Sequence, residues 1–108
     1  MLYLTHMDAF RALAEPRRRR VVEILARRGT LSASQISREF DVTPQAISQH
    51  LRVLREANVL RMERRAQRRL YTFNPQSTDQ IQVWTGQMAR LWRGRLDRLE
   101  NALKEEMG

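Results

Sequence analysis

Apolar side chains recur along this chain in two rhythms, and each predicts its own kind of element. Through residues 8–58 they come in short runs at helical spacing: Phe10, Leu13 and Ala14; Val21, Val22, Ile24 and Leu25; Ile36 and Phe40; then Ile47, Leu51 and Leu54 at i, i+4 and i+7. Residues 59–73 switch to a rough two-residue alternation of apolar and charged positions, with Leu70, Tyr71 and Phe73 supplying strand-favouring bulk. Beyond residue 80 the helical spacing returns through Ile81, Trp84, Met88, Leu91, Trp92, Leu96, Leu99, Leu103 and Met107, while Gln87, Arg90, Asp97 and Lys104 take the other side.

The residues between these runs mark the boundaries. Asp8 suits the cap of a first short helix that ends before Pro16, because the residue preceding a proline is pushed out of helical geometry. Pro16 opens a second helix, which stops at Gly29, expected as a left-handed C-terminal cap. Ser32 with Gln35 three positions on is a capping-box pattern, and Thr43-Pro44 is a second helix start. Two short helices joined by a tight turn over residues 32–58 outline a helix-turn-helix. Residues 59–64 and 68–73 predict a hairpin whose tip, around 65–67, lacks any Asn-Gly or Gly-Gly signal. Ser77, Thr78 or Asp79 then caps a helix of about 27 residues, roughly 40 Å long at 1.5 Å per residue. That is more than a small domain needs to cover itself, so the stripe through Ile81, Trp84, Met88, Leu91, Trp92, Leu96 and Leu99 is expected to pair with a second copy. The predicted architecture is a mostly α chain with a small β-hairpin: a winged helix-turn-helix of five helices and a two-stranded wing. It forms a single domain over 1–108, with dimerisation helices at 8–14 and 80–106, the helix-turn-helix at 32–58 and the wing at 59–73.

Charge narrows the partner. The formal net charge is +8, which favours nucleic acid or an acidic membrane surface. All but one of the 20 basic residues are arginine, a bias that a GC-rich genome also produces, so distribution must decide. Between residues 44 and 73 seven arginines stand against two glutamates, a surplus of five; between 80 and 108 five bases meet four acids, a surplus of one. The excess is local to the second helix of the helix-turn-helix and the hairpin.

Other chemistry is excluded by what is missing. With no cysteine there is no disulfide framework, thiolate metal site or cysteine nucleophile. The start "MLYLTHMDAF" has no basic flank, long apolar stretch or small-residue cleavage site, and no later stretch approaches a membrane span, so a cytoplasmic location and no membrane partner are expected. No nucleophile-base-orienter trio or Gly-rich phosphate loop appears, which argues against an enzyme and against a cofactor.

What remains is a surface suited to DNA. Thr43, Gln45, Ala46, Ser48 and Gln49 give the helix after Pro44 an outer face of short groups able to approach base edges in a major groove. Gln45 and Gln49 lie one turn apart, and glutamine bonds bidentately to adenine; plain solvated surface is the bland alternative. Arg52 suits a phosphate or a pair with Glu56, and Arg55 is read as a surface ion pair. Arg64, Arg65, Arg68 and Arg69 form a denser cluster that matches a wing lying along the backbone or entering the minor groove. The "RRRR" at 17–20 circles a helix and reads as solvated. His50 falls at the border of core and exposed face, as a half-buried hydrogen-bonded or phosphate-touching residue rather than a metal ligand, since the other histidine, His6, is far away in sequence.

The segments "FRALAEPRRRRVVEIL", "LSASQISREFDVTPQAISQHLRVLREANVL" and "RRLYTFNP", in this order between Phe10 and Pro75, resemble the ArsR family of winged-helix bacterial repressors. The resemblance implies a homodimer joined by the first and last helices, which adds Phe10 to the interface, and operator binding through residues 44–58 with the wing alongside. Many relatives bind metal through a cysteine pair; the matching positions here are Ser32 and Ser34, and "IQVWTGQMARLW" lacks the Asp and His ligands that others carry on the last helix. Metal sensing is therefore not expected. The glycine common at relatives' wing tips is replaced near Ala66.

Together these readings predict a homodimeric, sequence-specific regulator that represses its own gene from an inverted-repeat operator in double-stranded DNA. Half-sites would lie about one turn, roughly 34–36 Å, apart. Two alternatives stay open: a metal- or ligand-gated repressor with an unfamiliar site, such as His6 with acidic residues near the dimer seam, and a basic protein-interaction module.

Overall fold

The computed structural model describes residues 8–107, so His6 lies outside the described part. The chain divides into two units, one ending at Thr78 and the other beginning at Asp79.

The first unit opens with α1, Ala9–Ala12, where the Asp8 carboxylate accepts the Arg11 N–H at 2.8 Å. Helix α2, Pro16–Arg28, starts on its proline, with the Glu15 carboxylate accepting the Arg18 N–H at 2.9 Å. It stops at Gly29, as the sequence suggests, but not in the expected left-handed helical well: φ is 84° and ψ is −148°. That region is open essentially to glycine alone.

Strand β1, Leu31–Ser32, runs directly into α3, Ala33–Ser37. The capping box forms: Ser32 Oγ accepts the Gln35 N–H at 3.2 Å, and Gln35 Oε1 accepts the Ser32 N–H at 2.8 Å. Thr43 Oγ1 accepts the Ala46 N–H at 3.1 Å to start α4, Pro44–Glu56. The hairpin follows as β2, Leu60–Arg65, and β3, Arg68–Phe73, paired from Leu60↔Phe73 to Arg65↔Arg68. The sheet has three strands rather than the two expected, because β1 pairs antiparallel with the far edge of β3 in the order β1-β3-β2. A two-residue strand has no periodicity to betray it; only its long-range pairing, Leu31↔Tyr71 and Ser32↔Leu70, defines it.

The junction between α4 and β2 is a Schellman motif. Asn58 sits at φ 61°, its N–H donates to Arg55 O at 3.0 Å, and the Val59 N–H donates to Leu54 O at 2.9 Å. Leu54 and Val59, both fully buried, supply the hydrophobic contact that accompanies this ending. Asn74 ties the other end of the hairpin to the same corner: its Nδ2 donates to Asn58 O and its N–H to Val59 O, both at 2.9 Å.

The core gathers Ala12, Val21, Ile24, Leu25, Leu31, Ile36, Ile47, Leu51, Leu54, Val59, Leu60 and Tyr71. Every element of this unit up to β3 contributes, and each leucine-sized side chain withdrawn from water contributes about 1.5–3 kcal/mol. Val22 and Phe40, expected inside, are only partly buried against it; in α1 the residue that reaches the core is Ala12, not Phe10, which is exposed.

A 3₁₀ turn, Pro75–Thr78, follows, closed by the Ser77 and Thr78 hydroxyls donating to the carbonyls of Asn74 and Pro75 at 2.7 and 2.8 Å. The second unit is one helix, α5, Asp79–Met107, with 29 residues and none of them buried. Among the described residues no helix is long and apolar enough to cross a membrane.

Candidate nucleic-acid interface

Helix α4 is amphipathic by construction. Ile47, Leu51 and Leu54 are buried, which fixes the rotation of the helix and turns Gln45, Ser48, Gln49 and Arg52 outward, all exposed, with Ala46 half-buried and the exposed Thr43 at the cap. Thr43 differs from the others in having its hydroxyl occupied by the Ala46 N–H. Arg52 Nε lies 3.6 Å from Glu56 Oε1, with both side chains more than half exposed. Such a pair is worth little and opens at small cost.

Arg55 departs from the sequence reading. It has no carboxylate partner among the described residues, and it lines a hollow of about 250 Å³ with Gln49 and Arg52 from α4 and Arg69 and Tyr71 from β3. The i+3 spacing of Arg52 and Arg55 was visible in the sequence; that β3 would bring Arg69 against them was not.

The wing arginines do not form one cluster. The register pairs Arg64 with Arg69 and Arg65 with Arg68, and successive residues of a strand point to opposite faces. Arg64 and Arg69 therefore extend the face that carries Leu60, Met62, Tyr71 and Phe73 towards the core, whereas Arg65 and Arg68 share the other face with Glu63. Arg65 Nε is 3.5 Å from Glu63 Oε1, both side chains largely exposed. Between the strands only Ala66 and Gln67 remain, and φ is 55° at Ala66. A positive φ at the first central residue alone is the pattern of a type II′ turn, where glycine is usual.

The four arginines at 17–20 divide by role rather than forming a uniformly solvated band. Arg20 pairs loosely with Glu23 at 3.7 Å, both exposed. Arg19 Nη1 donates to the carbonyls of Leu13 and Ala14 at 2.8 and 3.2 Å, and Arg18 Nε donates to Ala12 O at 2.6 Å. These two guanidiniums finish the C-terminal end of α1, whose last carbonyls have no helical partner. Arg18 Nη1 also lies 3.5 Å from His50 Nδ1. His50 is thus a half-buried, hydrogen-bonded residue on the inner border of α4, 3.9 Å from Glu15 Oε2. Burial raises the Glu15 carboxyl, but the Arg18 N–H, the charge on His50, the Arg17 N–H and the Arg18 guanidinium together outweigh it and hold Glu15 below the ordinary 4.5.

The residues matched to relatives' metal cysteines do not suit a metal. Ser32 offers a hydroxyl already engaged in the capping box, and Ser34 another hydroxyl, where soft or borderline metals require thiolate or imidazole. Among the described residues no group of three or more His, Asp or Glu side chains is placed to hold a metal ion.

Comparison with known proteins places this geometry. The family described as "Helix-turn-helix domain" matches residues 13–63. The HTH-type transcriptional regulator Rv2034 of Mycobacterium tuberculosis is 37% identical over 82 residues, covering 71% of this chain and 76% of that protein. The chain belongs to the ArsR family of winged helix-turn-helix regulators. The transcriptional repressor SdpR of Bacillus subtilis is 31% identical over 67 residues, covering 62% of this chain and 73% of that one. A solved structure described as an ArsR family transcriptional regulator superposes with a TM-score of 0.72 at 25% identity, covering 78% of this chain and 86% of the other. The ArsR family is one of DNA-binding transcription regulators, and this chain carries its helix-turn-helix domain.

Proposed function

We propose that this ArsR-family regulator is a cytoplasmic, homodimeric repressor that reads an inverted-repeat operator in double-stranded DNA without sensing metal. The observation that carries the reading is the outer face of α4: Gln45, Ser48 and Gln49 stand exposed in a row on a helix whose opposite face is locked into the core. Arg52 stands beside that row, and Arg69 of the wing lines one hollow with Ser48, Gln49, Arg52 and Arg55, so glutamine for base edges and arginine for phosphates are offered side by side. Arg55 joins Arg52, Arg64, Arg65, Arg68 and Arg69 among the phosphate-binding candidates.

A second copy is supported by α5, where Ile81, Trp84, Met88, Leu91, Trp92, Leu96 and Leu99 recur along one stripe and Leu91 and Trp92 are 64% and 61% exposed. A contiguous apolar stripe of this size marks an association surface. Repression is the role named for SdpR and is carried here by that similarity.

The test is a gel-shift titration of the full chain against DNA from immediately upstream of its own gene, with scrambled DNA as competitor at near-physiological salt. Retention that scrambled DNA does not compete away is expected, with footprinting giving two half-sites. Equal competition by both DNAs would remove the sequence-reading role from α4.

A further inference from the structure

Between α3 and the wing lies a half-open cavity of about 480 Å³, on the far side of β3 from β2. Ser32, Ala33, Ser34, Gln35 and Arg38 line one wall, and Gln67, Arg68 and Arg69 the other. Its volume falls within the range of small-molecule sites, and its charge is one-sided. Gln35 Oε1 is consumed by the Ser32 N–H and Ser32 Oγ already accepts the Gln35 N–H. That leaves the Gln35 Nε2 group and the Ser32 hydroxyl proton as donors. Ser34 adds a hydroxyl, and an arginine side chain donates only; Arg68 and Arg69 alternate along β3 and so flank the cavity from opposite faces of that strand. No carboxylate lines the cavity, and among the described residues none of Arg38, Arg68 and Arg69 has a carboxylate partner.

The wing concentrates like charge beside this cavity. Arg68 lies opposite Arg65 and Arg69 opposite Arg64 across the hairpin, and like charges directly opposite one another destabilise a strand pair. A bound anion screens that repulsion and pairs with the planar donor forks of arginine, which match phosphate oxygens bidentately.

We propose that this cavity is an oxyanion site that holds a phosphate group, and that a small phosphorylated ligand seated there excludes DNA. The phosphate has two possible sources: the DNA backbone, which the first helix of a helix-turn-helix crosses, or a free phosphorylated molecule. The exclusion of DNA rests on the DNA-binding reading above; the phosphate site does not.

Inorganic pyrophosphate is the probe, titrated into the full chain by calorimetry at matched ionic strength. Saturable one-site binding is expected, weakened at least tenfold in Arg38→Gln and about threefold in Ser34→Ala, which alters no charge. Arg17→Gln, an equal charge change on the exposed side of α2, should move it less than twofold. Absence of saturable binding, or losses in Arg38→Gln and Ser34→Ala no greater than in Arg17→Gln, would overturn the site. A gel shift with the same variants separates the sources. If pyrophosphate displaces DNA and Arg38→Gln weakens DNA as well, a backbone phosphate and the free ligand share the seat, as proposed. If pyrophosphate binds while DNA is neither displaced nor weakened, the site belongs to the free ligand and the exclusion is refuted. Should the protein bind no DNA at all, the pyrophosphate titration still stands, so the two readings fail separately.

Discussion

Replacing Asn58 isolates a single physical term at the joint between α4 and the wing. Asn58 holds φ at 61°, a conformation that costs an ordinary L-residue about 1–2 kcal/mol, asparagine less, and glycine nothing sterically. The bonds recorded at this corner use its backbone: the Asn58 N–H to Arg55 O at 3.0 Å and Asn74 Nδ2 to Asn58 O at 2.9 Å. Asn58→Ala leaves these groups in place and changes only the preference for φ, so it should lose roughly 1 kcal/mol. Asn58→Gly should stay within about 0.5 kcal/mol of the parent, because relief of the left-handed cost is offset by the greater backbone entropy of glycine when unfolded. Asn58→Val, β-branched, should lose about 2 kcal/mol or more. For a chain of this size 1 kcal/mol is about 4–8 °C in Tm. The assay is thermal and urea unfolding followed by far-ultraviolet circular dichroism at one fixed protein concentration, since association makes Tm concentration-dependent. The order Gly and Asn above Ala above Val is required. An alanine variant as stable as the glycine variant would refute the assignment of this corner to a left-handed helix ending.

Four further outcomes follow from the same structure. Gln45→Ala with Gln49→Ala should lower the ratio of operator to random-DNA affinity, each lost bidentate contact being worth about 1–3 kcal/mol of discrimination; an unchanged ratio would withdraw both residues from base reading. Arg65→Ala with Arg68→Ala should weaken binding to all sequences and flatten the plot of log affinity against log salt by roughly 2, and a constant slope would place the two outside the phosphate contacts. Ser32→Ala removes half of the capping box and should cost about 1 kcal/mol, within a range of roughly 0.5–2, read by urea midpoint with an unchanged m-value. The lowered Glu15 pKa means that its stabilisation is present above the unfolded value and lost as pH falls through the folded one. The Tm gap between the parent and Glu15→Gln should therefore be widest near neutrality and close as the solution is acidified below 4.5; a gap independent of pH would show that the Glu15 charge contributes nothing.

Much of the fold follows from local chemistry that any reading of the chain meets. Ser32 with Gln35, and Thr43 with Pro44, mark helix starts because a hydroxyl satisfies N–H groups that the first turn leaves bare. The i, i+4, i+7 spacing of Ile47, Leu51 and Leu54 determines which face of α4 is buried, and so which residues it turns outward. The period-two stretch and the local arginine surplus likewise announce a charged hairpin.

Asn58 carried a readable signal too, since asparagine is the usual substitute for glycine after a helix. That signal is weak, because an exposed asparagine in a loop is compatible with many other roles. Other features had no local signal at all. Strand β1 exists only because β3 arrives beside Leu31 and Ser32. The division of the wing arginines into two faces depends on the register Arg64↔Arg69 and Arg65↔Arg68, and a slip of one residue would exchange them. Arg18, read as solvated, is drawn in by the carbonyls at the end of α1 and by His50, which lies 32 positions away in sequence. The cavity that joins Arg38 to Arg68 and Arg69 is assembled the same way. Caps, periods and charge are properties of neighbours along the chain, so the sequence by itself determined the helices, the hairpin and the face of α4 that turns outward. Which arginines meet, and around what space, is set by residues far apart in the chain, and that the tertiary structure alone decided.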